Sequence, residues 1–240
     1  MLQYRLPIQR SLISPRRSFC PLCESKLNWY HNIPFFSFFF LKRKCHSCSS
    51  PISKIYPSIE IITALVTFFI YKRYGFELDF FLILLVSYCL ILLTFIDMKY
   101  KAVPDYLLIL VLLIAFFYSE FSYLYCLVFA GGAVLLELFV SFYIQNIKAK
   151  FKNDETLSTQ KALGEGDIPI FALIGGILGL HLGVVSIFLS AIFAIIPSIL
   201  SQIFKDDIEI PFIPFLALGF FAVLFFGESI LVFIEKVTNI

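Results

Sequence analysis

The sequence predicts an all-α membrane protein, a polytopic helical bundle of about seven spans, on three observations: composition, the length of the apolar runs, and the placement of basic residues. Hydrophobic residues make up 60% of the 240 and charged ones 15%, against roughly 45–50% and about 25% in soluble domains. The excess is gathered in runs at 80–96, 105–118, 121–147, 183–204 and 212–234, each close to the roughly 20 residues that cross about 30 Å of hydrocarbon. Two shorter runs, 56–71 and 168–180, need tilt, flanking help or burial within a bundle to act as spans. A soluble helical core is disfavoured, because too little polar surface is left to coat one.

The net charge of +2 is uninformative, but its distribution is not. With seven spans taken in order, sixteen of the nineteen Lys and Arg fall in 1–56, 97–104, 148–167 and at Lys205. Only Lys72, Arg73 and Lys236 fall on the other side. The positive-inside rule therefore places the N-terminal region and the loops after Ile96, Ile147 and Phe204 in the cytoplasm. Membrane lipid is the expected surrounding, and no nucleic-acid partner is needed to explain the basic residues. Residues 1–19 lack an apolar h-region, so no cleavable signal peptide is expected and insertion falls to the first internal span.

Residues 1–55 form the only substantial polar block, a small module ahead of the membrane domain at 56–240. It holds Cys20-Pro21-Leu22-Cys23 and Cys45-His46-Ser47-Cys48, two C-x2-C knuckles separated by twenty-one residues. Four thiolates suit tetrahedral zinc, and a cytoplasmic address disfavours disulfides. Cys20, Cys23, Cys45 and Cys48 are thus the expected ligands of a structural zinc, with a redox pair as the lesser alternative for either knuckle. His46 is not needed as a ligand. The run 33–41 is too short to span and, with Trp29 and Tyr30 nearby, suits packing on the metal module or the membrane surface. Cys89 and Cys126 stand singly in apolar runs, as buried core thiols do.

Carboxylates are costly at the edge of hydrocarbon, so each one there asks for a reason. Asp97 ends one apolar run and Asp167 opens another, with two spans between them. An even number of crossings returns both acids to one membrane face. Two carboxylates in one dehydrated site share a proton, one serving as base toward water and the other as acid toward a carbonyl. Gly164-Glu165-Gly166-Asp167 adds two glycines before the second acid, whose missing Cβ atoms allow close approach of backbone or substrate. Asp105, in Pro104-Asp105, is expected to cap a helix rather than to catalyse. Glu60 suits a membrane-edge acid, and Glu137, deeper in its run, suits a packed partner within the bundle. His31 and His181 offer no constellation.

In these segments the chain resembles the type IV prepilin peptidases, membrane aspartic proteases of the G-x-G-D kind. The likeness runs through Tyr4-Arg5-Leu6-Pro7, both knuckles, Asn32-Ile33-Pro34, Tyr56-Pro57-Ser58-Ile59-Glu60, Asp97 to Pro104-Asp105, Leu163 to Asp167, and Ile210-Pro211-Phe212-Ile213-Pro214-Phe215. The resemblance implies that Asp97 and Asp167 are the catalytic pair and that prepilins or pseudopilins of type IV pili and type II secretion are the substrates. Cleavage would follow a Gly at the cytoplasmic face of the bacterial inner membrane. It also implies, from the knuckle-containing region, N-methylation of the new N-terminus by S-adenosylmethionine. The family usually has eight spans, one of them before the Arg-Leu-Pro segment where this sequence begins. It also commonly has Lys two positions after the G-x-G-D acid, where this chain has Pro169. The alternative from another class is an ion- or proton-coupled transporter with intramembrane acids, which gives no reason for G-x-G-D or for the knuckles.

Overall fold

The computed structural model describes residues 20, 22–23, 25–27, 40–41, 43–53, 55–148, 164–203 and 211–238. The Tyr4 to Pro7 and Asn32 to Pro34 segments, Trp29, Tyr30, His31, nearly all of the 33–41 run and most of the 148–166 loop lie outside them. The described helices are α1 (Ile55–Tyr74), α2 (Leu78–Tyr100), α3 (Asp105–Ala115), α4 (Tyr123–Phe142, continued by a π-helical turn, Tyr143–Lys148), α5 (Asp167–Ile203) and α6 (Ile213–Thr238). Five of them are long and apolar enough to cross a membrane: Ile55–Tyr74, Leu78–Tyr100, Tyr123–Asn146, Asp167–Ile199 and Ile213–Val232. The protein is a multi-pass, all-α membrane protein.

All seven apolar runs are helical, but they are divided differently from the expectation. The 105–118 run gives an 11-residue helix, only about 16 Å long at 1.5 Å per residue and short of the hydrocarbon thickness. The 168–180 and 183–204 runs lie in one element, α5, broken at Gly179, whose φ of 73° and ψ of −170° are not helical. That combination is accessible essentially to glycine alone. Positions Gly175 and Gly183 would be about 12 Å apart on a straight helix, yet a Cβ at either would lie 2.5–2.7 Å from the one ring of Phe129. The chain therefore turns sharply at Gly179, and a short N-terminal segment leads into a longer second one.

The chain forms two compact units, Met1–Phe76 and Glu77–Ile240. Compactness thus groups α1 with the cysteine region, whereas composition drew the boundary at 55/56. Within the first unit each knuckle is closed by backbone hydrogen bonds: Cys20 N–H donates to Ser25 O at 3.0 Å, and Cys45 N–H to Ser50 O at 2.8 Å. In α1 the hydroxyls of Thr63 and Thr67 donate back to the carbonyls of Ile59 and Thr63. This is how hydroxyl side chains are satisfied where there is no water. The Lys72 and Arg73 heads at the end of α1 lie 5.8–5.9 Å from the ring centroids of Phe68 and Tyr74.

In the second unit α5 packs along both α4 and α6, while α3 rests on α2 and α5, and α2 meets α6. On α2, residues Phe80, Ile83, Ser87, Leu90, Thr94 and Asp97 recur at alternating spacings of three and four. That spacing makes one face of a helix, and all of these but Thr94, which is half-buried, are buried. Asp79 at the start of α2 accepts from the Ser119 hydroxyl and from its N–H, pinning the turn between α3 and α4. Large apolar side chains on α4, Leu127 and Phe139 among them, are more than two-thirds exposed. Such a surface suits hydrocarbon and not water.

Candidate active site

Asp97 is placed by the end of α2. The helix closes at Lys101, which adopts the left-handed conformation (φ 51°) and donates its N–H to the Asp97 carbonyl at 2.8 Å. The last helical turn thus sets the Asp97 side chain on the buried stripe, and it is only 7% exposed. The backbone amide of Ile213, the first residue of α6, lies near its carboxylate. Helix N-termini carry N–H groups with no intrahelical partner, so such an amide is free to meet an acid.

Asp167 is placed by a reciprocal turn. Its N–H donates to Gly164 O at 3.0 Å, while Gly164 N–H donates to Asp167 Oδ2, also at 3.0 Å. This has the logic of a capping box, in which an acid in the first turn reaches back to an amide ahead of the helix. Asp167 is 6% exposed, and Asp97 lies within electrostatic reach of it. Among the described residues, these are the only charged side chains that are buried. The two acids singled out in sequence are thus both buried, one within electrostatic reach of the other.

Gly166 shows why the loop before Asp167 needs glycine. A Cβ there would lie 2.5 Å from Val103 Cγ2, 3.5 Å from Leu108 Cδ1 and 3.8 Å from Ile213 Cδ1. The missing side chain lets the Asp167 loop press on the segment after Asp97 and on the start of α6. A Cβ at Gly164, by contrast, would meet only the Asp167 carboxyl, at 3.3 Å from Oδ2. Gly166→Ala is expected to move the loop by about an ångström, enough to cost on the order of 10²-fold in a reaction that depends on alignment. Turnover of the variant in a cleavage assay checks this, and parental turnover would show that the close approach is dispensable.

Two further acids of the second unit, Asp105 and Glu137, make no hydrogen bond with the two buried carboxylates among the described residues. Asp105 does not cap α3: the N-cap is Pro104, which has no side-chain oxygen, and Asp105 is the exposed first helical residue. There its charge still suits the helix dipole. Glu137 is half-buried on α4 and no hydrogen bond or ion pair among the described residues engages it, so the expected packed partner is absent there. Glu60, also half-buried, belongs to α1 in the first unit. His46 and His181 are exposed. Two contributors to the site were not foreseen, Val103 and the Ile213 amide. The apolar run 212–234 announced α6 in sequence, but nothing local placed its first residue near Asp97.

The four knuckle sulfurs also come together. The Sγ atoms of Cys20, Cys23, Cys45 and Cys48 lie within 4.8 Å of one another, with 3.9 Å between Cys20 and Cys48. A tetrahedral zinc with bonds of about 2.3 Å sets its sulfurs about 3.8 Å apart, so the cluster fits that ion. The Ser50 hydroxyl, 3.0 Å from Cys48 Sγ, and the Ser50 backbone draw the Cys48 thiol down to about 6, toward the thiolate that binds metal. Burial pushes the Cys20 thiol up, but the Cys23 and Leu22 amides outweigh it and the net shift is downward.

Family models match two stretches of the chain: the bacterial peptidase A24 N-terminal domain over residues 1–74 and the type IV leader peptidase family over 84–199. A prepilin leader peptidase/N-methyltransferase of Legionella pneumophila is 32% identical over 95% of this chain and 78% of its own length. The protein of that name from Bacillus subtilis is 30% identical over 97% and 90%, and that from Vibrio cholerae 28% over 92% and 88%. No solved structure matches. With both family regions present in order and relatives aligned over nearly the whole chain, the protein belongs to the type IV leader peptidase family.

Proposed function

We propose that this protein is a prepilin leader peptidase and N-methyltransferase that cuts with an Asp97–Asp167 dyad. The observation that supports this is the burial of both carboxylates, Asp97 within electrostatic reach of Asp167, beside a glycine loop in which a Cβ at Gly166 would lie 2.5 Å from Val103 Cγ2. In such a dyad the ionised carboxylate takes a proton from water as the water attacks the scissile carbonyl. The protonated partner donates to the carbonyl oxygen. Collapse of the tetrahedral adduct breaks the C–N bond: the proton taken from water passes to the departing amine, and the partner carboxylate takes back the hydroxyl proton of the adduct as the carbonyl re-forms. The dyad then again holds one shared proton. Gly164 N–H orients Asp167, and the Ile213 amide lies near Asp97.

The substrates are prepilins or pseudopilins, whose basic leader precedes an apolar helix, with the cut after the Gly at that junction. The cysteine cluster holds one structural zinc, whose closed shell leaves no position for a reacting water. S-adenosylmethionine would supply the methyl group for the freed N-terminus, and no residue is assigned to it. The concentration of Lys and Arg in the N-terminal region and alternate loops supports an inner-membrane placement with the dyad at the cytoplasmic edge. A transporter would leave G-x-G-D and the knuckles without a purpose.

Purified protein incubated with a leader-bearing prepilin should release the leader, as read by mass. With S-adenosylmethionine added, the mature product should gain one methyl group. An uncut prepilin overturns the peptidase assignment; a cut product that never gains 14 mass units, roughly one CH₂, confines the protein to proteolysis.

A further inference from the structure

Four buried side-chain oxygens among the described residues have no protein partner: Ser87 Oγ, Thr94 Oγ1, Asp97 Oδ2 and Ser186 Oγ. Three of them lie on the buried stripe of α2. Other hydroxyls in the spans are satisfied by turning back onto the preceding turn, as Thr63 does onto Ile59 O and Ser190 onto Ser186 O, both at 2.8 Å. Thr94 does not do so. Its position, three residues before Asp97, makes the two side chains neighbours on one helix surface, with Cβ atoms about 5–6 Å apart. An unpaired donor and an unpaired acceptor at that spacing can be joined by one water, and burial makes leaving both unpaired costly.

We propose that Thr94 is a positioning residue of the dyad, holding through one water the Oδ2 atom of Asp97. The Thr94 hydroxyl donates to the water, and the water donates to Asp97 Oδ2. The water thereby fixes the orientation of the Asp97 carboxylate. It also keeps solvent beside a carboxylate that is only 7% exposed. Ser87 lies seven residues earlier, about 10 Å along the axis, too far for the same water, and it has no part in this contact.

The proposal rests on the peptidase function proposed above, and the variants are chosen to separate the two. Thr94→Val keeps the shape and removes the hydroxyl, Thr94→Ser keeps the hydroxyl, Ser87→Ala is the control on the same stripe, and Asp97→Asn tests the dyad itself. Each is assayed as the full chain in lipid for kcat and KM on a leader-bearing prepilin, and for melting temperature. Thr94→Val should lower kcat about 10- to 100-fold, the scale of a misplaced catalytic group, with KM unchanged and the melting temperature equal or higher. Thr94→Ser should recover kcat to within a few-fold, and Ser87→Ala should match the parent. A purely structural Thr94 predicts the reverse, since exchanging an unpaired buried hydroxyl for methyl is neutral or stabilising and leaves turnover intact. If Asp97→Asn is inactive while Thr94→Val has parental kcat, or while Thr94→Ser is as impaired as Thr94→Val, the role of Thr94 is wrong and the dyad stands. If Asp97→Asn cleaves near the parental rate, the dyad falls and the role of Thr94 with it.

Discussion

Asp97→Asn and Asp167→Asn should each reduce prepilin cleavage by at least about 10³-fold, the scale on which enzymes respond to loss of a member of a catalytic unit. The two side chains are 7% and 6% exposed, and Asp97 lies within electrostatic reach of Asp167. An amide keeps their size but can neither take a proton from water nor return one. The double variant should be little worse than either single one, because a shared-proton pair is lost when one partner is lost. The pH profile of the parent should be bell-shaped, its two limbs belonging to the coupled pair and not to either residue. Asp105→Asn and Asp154→Asn are the controls. Asp105 is exposed at the start of α3, so its loss should remove about 0.3–1 kcal/mol of local helix stability through the dipole and leave most of the cleavage. Either dyad variant, inserted and folded, working near the parental rate would remove the dyad from the mechanism.

The second large effect concerns the cysteine cluster. Metal analysis of the purified protein should give about one zinc per chain, and Cys20→Ser or Cys45→Ser should lose it. Structural zinc of this type contributes on the order of 10–16 kcal/mol to the small modules that bind it, far more than their hydrogen bonds can replace. Limited proteolysis of such a variant should therefore cut within residues 1–53 while the helices of the second unit stay protected. Two results would sink the structural role: a parent without zinc, or cleavage whose rate follows the identity of an exchanged metal as it does in hydrolytic metal sites. The four sulfurs, all within 4.8 Å of one another, leave no ligand position for substrate.

Much of this was legible because the relevant physics is local in sequence. Hydropathy sums along the chain, so every expected apolar run is helical. A carboxylate at the end of such a run is conspicuous for its cost alone, which singled out Asp97 and Asp167. The spacing of C-x2-C already brings two thiols to one tight turn, so the knuckles could be paired on paper. Where local signals competed, they misled. Pro104-Asp105 suggested a capping acid, yet Pro104 itself occupies the cap. Glu137 suggested a packed partner because its run is apolar, but an apolar run does not say which face meets protein and which meets lipid.

The sequence by itself determined the membrane class, the helices, the two acids and the four cysteines, since each follows from what a short stretch costs in hydrocarbon or can offer a metal. Tertiary structure alone decided the rest. It turned α5 at Gly179, so that Gly175 and Gly183 share the ring of Phe129. It pressed Gly166 onto Val103 and set the start of α6 near Asp97. It also left Thr94 and Asp97 with unpaired oxygens on one buried stripe. Those facts depend on contacts between helices far apart in the chain, and close packing of side chains, unlike hydropathy, has no value until both partners are in place.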